Sequence, residues 1–262
     1  MIILFKIKGR NINLDVKRII AYRQFCNKIW NSFKLSIMKV DYTKKYDLTA
    51  IKYSELAFIH KWILSKFHSL VKAINSHFTN YEFGEASNKF HAFWIYEFCD
   101  VYLEVVKNIL YGSDLQEVET ANLILLTILE EGLKLLHPMM PFLTEELYQK
   151  LPNTLTKAES ITIATYPVEK EEWINKDIEG QLEELFVMVK TIRSLISSVN
   201  LPNSIKPKVF VLFINPDNRQ RELITKNDKL IMTLAKISEV LIFFENFTFF
   251  IKFCIFHQHF GY

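Results

Sequence analysis

With 262 residues, half of them apolar, and only six Gly and seven Pro, the chain can bury one large core or two smaller ones but lacks the turn density of a β-sandwich or barrel. Cys26, Cys99 and Cys254 are odd in number and share no C-x-x-C spacing, which argues against a disulfide framework or zinc ribbon and fits a reducing, cytoplasmic compartment. The net charge is only +3, yet the first 45 residues hold eleven Lys or Arg against Asp15 and Asp41, a local +9, so the remaining 217 sum to −6. So steep a split along one predicted helix points to a polyanionic partner, because Lys and Arg gain affinity by displacing counterions from phosphates.

The first helix is predicted from an Asn13 cap, with Asp15 in its first turn, to about Lys39. Ile19, Tyr22, Cys26, Ile29, Phe33 and Ile37 recur at steps of three and four and predict a buried stripe. Lys17, Gln24, Lys28, Asn31 and Lys34 fall on another face, with Arg23, Asn27 and Trp30 beside it. A polar connector, 41–47, leads to a second helix capped at Ser54, with Leu56, Ile59, Ile63, Phe67, Leu70, Ile74 and Phe78 in register. Asn80 to Gly84 reads as a turn, and a third helix runs to about Leu110 with Ala86, Phe90, Phe93, Phe98, Tyr102, Val105 and Ile109 on its apolar side. A fourth begins at a capping box spanning Ser113 to Gln116 and ends before His137 and Pro138; a fifth begins near Pro141 and stops before Pro152. Long helices joined by short loops predict an antiparallel helical bundle.

Beyond Pro152 the texture changes. Ser160 to Tyr166 alternates like a strand, 177–199 is helical, 208–213 is a short buried strand, 219–237 is helical and 240–244 is a strand. The expectation is therefore a mainly α protein, a bundle over 9–152 followed by a small α/β unit over 160–244. The tail, 245–262, is rich in aromatic and β-branched residues, reads as an aggregation-prone strand and looks foreign to the rest. No segment reads as a membrane span: Met1 to Ile7 is short, and the apolar run Leu241 to Phe256 is broken by Glu245, Asn246 and Lys252.

Catalytic constellations are weak. Glu97, Asp100 and Glu104 share a helix face, and paired carboxylates can act as acid and base, but an acidic stripe more often pairs with basic residues of a neighbouring helix. Cys254, His257 and His259 match no closed zinc set, so no metal is expected. A glycine-rich phosphate loop, a nucleophile elbow and an H-E-x-x-H motif are all missing from the sequence. The binding reading is stronger. Basic residues can hold phosphates, amides can read base edges and aromatic rings can stack on unpaired bases, a combination suited to RNA loops. On this reasoning Arg23, Lys28, Lys34, Lys44 and Lys45 neutralise phosphates, while Asn27, Asn31 and Tyr42 contact bases.

Several segments, in order, resemble the anticodon-binding helical domain of valyl-tRNA synthetases, and most closely the eukaryotic cytosolic form. They are 9–18 (Gly-Arg-Asn-Ile-Asn-Leu-Asp-Val-Lys-Arg), 25–31 (Phe-Cys-Asn-Lys-Ile-Trp-Asn), 62–65, 80–86, 93–104 and 136–147 (Leu-His-Pro-Met-Met-Pro-Phe-Leu-Thr-Glu-Glu-Leu), with a looser likeness to about Phe244. The His137 segment is shared with related class I synthetases for aliphatic amino acids, whereas 97–104 and 9–17 look most like the valine enzymes. The resemblance implies a part of a ligase that activates valine with ATP and transfers it to tRNA, with the anticodon arm of tRNA(Val) as partner. The family's His-Ile-Gly-His and Lys-Met-Ser-Lys-Ser signatures occur nowhere in these residues, and the editing domain is likewise missing. The implied chain therefore binds tRNA, needs no cofactor of its own and does not aminoacylate alone; a separate chain carrying the catalytic domain is an implied partner. Lys190, Arg193 and Lys206 could touch the tRNA backbone from the second unit. The rival expectations are the equivalent domain of an isoleucine enzyme and a helical scaffold that has lost tRNA binding, and a scaffold has no need of a +9 opening segment.

Overall fold

The computed structural model describes residues 16–155, 157–199, 201–202, 205–214, 216–245 and 254–256, and the chain divides into two compact units, 1–176 and 177–262. The first unit is built from α1 (Val16–Ser36), α2 (Phe58–Thr79), α3 (Phe83–Ala92), a π-wound segment (Phe93–Tyr102) continuous with α4 (Leu103–Leu110), α5 (Leu115–Leu136) and α6 (Pro141–Gln149). The second holds α7 (Lys176–Ser198), β1 (Lys208–Ile214), α8 (Asn218–Lys226), α9 (Asp228–Ala235), β2 (Glu239–Glu245) and β3 (Cys254–Phe256). This is the expected mainly α architecture, a helical bundle followed in sequence by a small α/β unit.

Helix α5 is the centre of the bundle and packs against α1, α2, α4 and α6. From Ile124 to Leu136 all but Glu131 of its residues are buried, so it is apolar on every side, as a central helix must be. At Gly132 it passes so close to Trp94 that an added Cβ would sit 3.0 Å from the indole. The π-wound segment places aromatic residues four and five apart on one line. Phe90 stacks on Trp94 at 5.4 Å, Trp94 meets Phe98 at 4.9 Å and Phe98 stacks on Tyr102 at 6.2 Å. The Trp94 Nε1–H donates to Ser32 Oγ at 3.0 Å and joins this ladder to α1.

Several expectations are corrected. Helix α1 ends at Ser36, not Lys39, and its buried stripe is Phe25, Ile29, Ser32, Phe33 and Ser36; Ile19, Tyr22, Cys26 and Ile37 are only half-buried. Two serines enter that stripe because each hydroxyl donates to a helix carbonyl, Ile29 O and Ser32 O. The Asn13 cap lies outside the described residues. Ser54 does not cap α2: residues Tyr53–Glu55 form a separate turn, and Ala57 precedes Phe58 at the helix start. The cap of α5 is Asp114, one residue after Ser113, its carboxylate accepting from the N–H groups of Gln116 and Glu117. Ser160 to Tyr166 is not a strand, because Glu145 of α6 takes the Ile161 N–H at 3.1 Å and the Ser160 hydroxyl at 2.8 Å, and a single turn over Ile161–Ile163 results. This segment belongs with the first unit: Tyr166 OH donates to Leu135 O, and Asn75 donates to Pro167 O. The helix expected over 219–237 is two helices that meet at Asn227.

In the second unit β1 pairs in parallel with β2, from Lys208 opposite Glu239 to Ile214 opposite Glu245, and antiparallel with β3, giving the order β2-β1-β3. Val209 and Val211 face the core from β1, and Leu182, Leu185, Val189 and Ile192 form the buried stripe of α7. The rest of the tail, including His257 and His259, lies outside the described residues.

Candidate nucleic-acid interface

At 3.6 residues per turn, Arg23, Asn27, Asn31 and Lys34 fall on the side of α1 opposite Phe25, Ile29 and Phe33. All four are exposed, and Arg23, Asn27 and Asn31 make no side-chain hydrogen bond or ion pair with another described residue. Trp30 is half-buried beside them, with the Lys34 ammonium 6.0 Å and the Lys150 ammonium 5.9 Å from its ring centre. Lys28 sits on the flank of this face, and its ammonium lies 3.3 Å from Asp100 in the π-wound segment. Lys28 is thus committed in part to its neighbour.

The connector after α1 continues the basic surface. Asp41 accepts from the backbone N–H of Thr43 at 2.9 Å and from its hydroxyl at 2.6 Å; these bonds, the hydroxyl's first, hold the Asp41 carboxyl below its usual range. The Tyr42 hydroxyl donates to the Lys150 carbonyl at 3.1 Å, and partial burial raises its pKa, while the residue as a whole stays 53% exposed. Lys44 lies 3.4 Å from Glu119 of α5, whereas Lys45 is exposed and makes no ion pair among the described residues. The connector is pinned to the segment after α6 by Tyr46, whose N–H donates to Asn153 O at 3.1 Å and whose carbonyl accepts from Leu155 N–H at 3.0 Å. Between these strips of chain lies a cleft of about 460 Å³ lined by Tyr42, Lys44, Lys45, Asn153, Lys157 and Glu159 among others.

The structure therefore divides the eight candidate residues. Arg23, Asn27, Asn31, Lys34, Tyr42 and Lys45 are presented to solvent, and Lys28 and Lys44 are shared with carboxylates. Sequence reasoning missed Lys150, Asn153 and Lys157, more than 100 positions from the connector, because only the fold juxtaposes them; the Tyr46 pairing with Thr154 carries no sequence signal. In the second unit, Arg193 donates its Nε–H to Leu234 O at 2.8 Å, a structural role, and Lys190 and Lys206 are exposed. The acidic stripe is satisfied by lysines: Glu97 with Lys66 at 3.4 Å, Asp100 with Lys28, and Glu104 with Lys107 at 2.5 Å. Among the described residues no group of three or more His, Cys, Asp or Glu could hold a metal, and no helix is long and apolar enough to cross a membrane.

Residues 60–211 match the family described as the anticodon-binding domain of tRNA ligase. The chain belongs to this family. It is also similar over most of its length to valine-tRNA ligases: 38% identical over 213 residues, 81% of this chain, to that of Fervidobacterium nodosum, and 38% over 206 residues, 78%, to that of Homo sapiens. The Schizosaccharomyces pombe ligase is 33% identical over 240 residues, 91% of this chain, so that its likeness extends into α1, ahead of the residues matched by the family. The chain spans about a quarter of the length of the Fervidobacterium and Schizosaccharomyces ligases and less of the human one. Bacterial and eukaryotic relatives match at comparable identity, which accords with the resemblance to valine enzymes without singling out one lineage.

Proposed function

We propose that this chain is the tRNA-gripping region of a valine-tRNA ligase and that it binds the anticodon arm of tRNA(Val). The observation that carries the reading is the exposed stripe of Arg23, Asn27, Asn31 and Lys34 set against the core face of α1 in a member of the anticodon-binding family. Charges hold the RNA backbone, and amides a turn apart meet base edges of an open loop, where Watson-Crick groups are accessible. The ligase chemistry, with ATP, belongs on this reading to a catalytic part outside these residues, in the same or a separate polypeptide, and the working compartment is the cytoplasm.

The test is salt-dependent binding of the full chain to tRNA(Val), to a variant with an exchanged anticodon, and to an unrelated tRNA. Each phosphate contact contributes about 0.7 to 0.9 to the slope of log affinity against log salt, which is about four- to sixfold in affinity at 0.15 M. Arg23→Ala and Lys34→Ala are each expected to weaken binding by about that factor, and Asn27→Ala to reduce the preference for the valine anticodon. Equal, weak binding to every tRNA, unchanged by these substitutions, refutes the reading.

A further inference from the structure

We propose that the cleft between the 41–45 connector and the 149–159 segment is a pocket for one unpaired nucleotide of the bound RNA, with its base on Tyr42 and its phosphate on Lys45 and Lys157. The proposal rests on the tRNA reading above and adds a specific subsite beyond the stripe on α1.

The cleft has the size and chemistry for this ligand. Its volume of about 460 Å³ falls within the range of about 300–1,000 Å³ usual for small-ligand sites. Three ammonium groups face one carboxylate, Glu159, across its lining. Lys44 is drawn toward Glu119, which leaves Lys45 and Lys157 for an incoming anion. Lys157 donates to the Leu151 carbonyl at 2.7 Å and lies 5.7 Å from the Tyr148 ring centre; burial lowers its pKa, so an anion beside it would restore what desolvation costs the ammonium. The Asn153 amide is exposed at the rim and makes no hydrogen bond with another described residue, so it is available to a base edge. Gln149, by contrast, is spent on Glu145 and the Glu159 carbonyl.

The walls are also set in advance. Two backbone hydrogen bonds join Tyr46 to the far wall, Thr154 donates to buried Glu130 at 2.7 Å, and Tyr42 is held by its bond to the Lys150 carbonyl. Little ordering remains to be done on binding. The pocket is continuous with the α1 stripe, because Lys150 holds Tyr42 through its carbonyl and approaches the face of Trp30 through its ammonium. RNA lying along α1 is thereby led past Trp30 to Tyr42.

The experiment measures binding of a valine tRNA transcript to the full chain and to Tyr42→Ala, Tyr42→Phe and Lys45→Ala variants, then repeats it with transcripts made abasic at each loop position in turn. Tyr42→Ala is expected to weaken binding about fivefold or more through lost stacking, while Tyr42→Phe, which keeps the ring, binds nearly as the parent does. Lys45→Ala should cost about fourfold at 0.15 M salt and lower the salt slope by about 0.7. The Tyr42→Ala loss should vanish for one abasic position and persist for the others. A loss that is the same with every abasic transcript overturns the pocket. If Tyr42→Ala and Lys45→Ala bind as the parent while Arg23→Ala weakens binding, the pocket fails and the tRNA reading stands. If Arg23→Ala is silent too, or no tRNA binds, both fail.

Discussion

The most demanding prediction concerns a buried charge cluster under the interface. Glu130 is fully buried, with Lys134 7% exposed beside it. The Lys134 ammonium donates to Glu130 at 2.8 Å and to Glu131 at 2.8 Å, and the second Glu130 oxygen accepts from Thr154 at 2.7 Å. Burial works against the ammonium, but the carboxylates, Glu131 first, outweigh it and hold the Lys134 pKa above its ordinary value. Lys134→Met removes both ion-pair bonds and leaves the buried Glu130 carboxylate without the Lys134 ammonium, a loss of about 3–5 kcal/mol. Glu130→Leu with Lys134→Met removes the charge and its partner together and should cost only about 1–2 kcal/mol, part of it from the bond to Glu130 that the Thr154 hydroxyl loses. The four tryptophans, Trp30, Trp62, Trp94 and Trp173, all lie in the first unit, so urea unfolding followed by tryptophan fluorescence reads that unit directly. At about 2–4 °C per kcal/mol for a unit of this size, the single variant should melt about 6–20 °C lower. A Lys134→Met cost below about 1 kcal/mol, or a double variant as costly as the two singles together, would refute the reasoning.

Three further outcomes follow from the same structure. Burial lowers the pKa of His60 and of His68 to about 4, so below pH 6.5 the unfolded chain takes up protons that the folded chain refuses; stability is level above pH 6.5 and falls with decreasing pH by about 1.4 kcal/mol per unit for each histidine. Urea titrations between pH 7.5 and 5 measure this slope, and a flat profile contradicts it. Asp100→Asn releases Lys28 from its exposed ion pair and should leave stability within about 0.5 kcal/mol while strengthening tRNA binding by up to about fourfold in low-salt titrations; unchanged or weaker binding counts against a phosphate role for Lys28. Tyr81 stands at φ 60° after α2, with the Glu82 N–H bonded to His77 O and the Tyr81 N–H to Phe78 O, a helix ending that suits glycine; Tyr81→Gly should stabilise the first unit by about 0.5–1 kcal/mol in the same urea assay, and a loss of stability would show that the Tyr81 ring outweighs its backbone.

The helices were legible wherever one face repeats. Ile59, Ile63, Phe67, Leu70 and Ile74 in α2 are buried in the spacing that periodicity predicts. Ends and windings were less legible, because they turn on single hydrogen bonds. Asp114 and Ser113 are both good caps by composition, and only the bonds to Gln116 and Glu117 decide between them. The spacing from Phe93 to Phe98 is five, which a helix of 3.6 residues per turn does not repeat; the π winding absorbs it and keeps both rings in the core. Ser160 to Tyr166 failed as a strand for a different reason. Alternation signals a half-buried extended chain but not its partner, and here the partner is one glutamate side chain, with Ile161 buried and Ile163 70% exposed.

Charge counting singled out one element and overstated its uniformity. Eleven basic residues in the first 45 suggest one continuous electropositive helix, yet Lys28 and Lys44 each face a carboxylate that the sequence keeps at least 70 positions away. Exposed pairs of this kind are worth little to stability, so their effect on binding is the more telling one: each partnered lysine must give up a carboxylate before it can neutralise a phosphate. Arg23, Lys34 and Lys45 carry no such cost among the described residues, and they mark the two ends and the continuation of one surface on which Asn27, Asn31 and Tyr42 also lie. On the proposed tRNA reading, specificity depends on the amides and rings that the charges bring into register, since phosphate contacts carry no sequence information. Lysine substitutions should therefore weaken all tRNAs alike, whereas changes at Asn27, Asn31 or Asn153 should alter which tRNA is preferred.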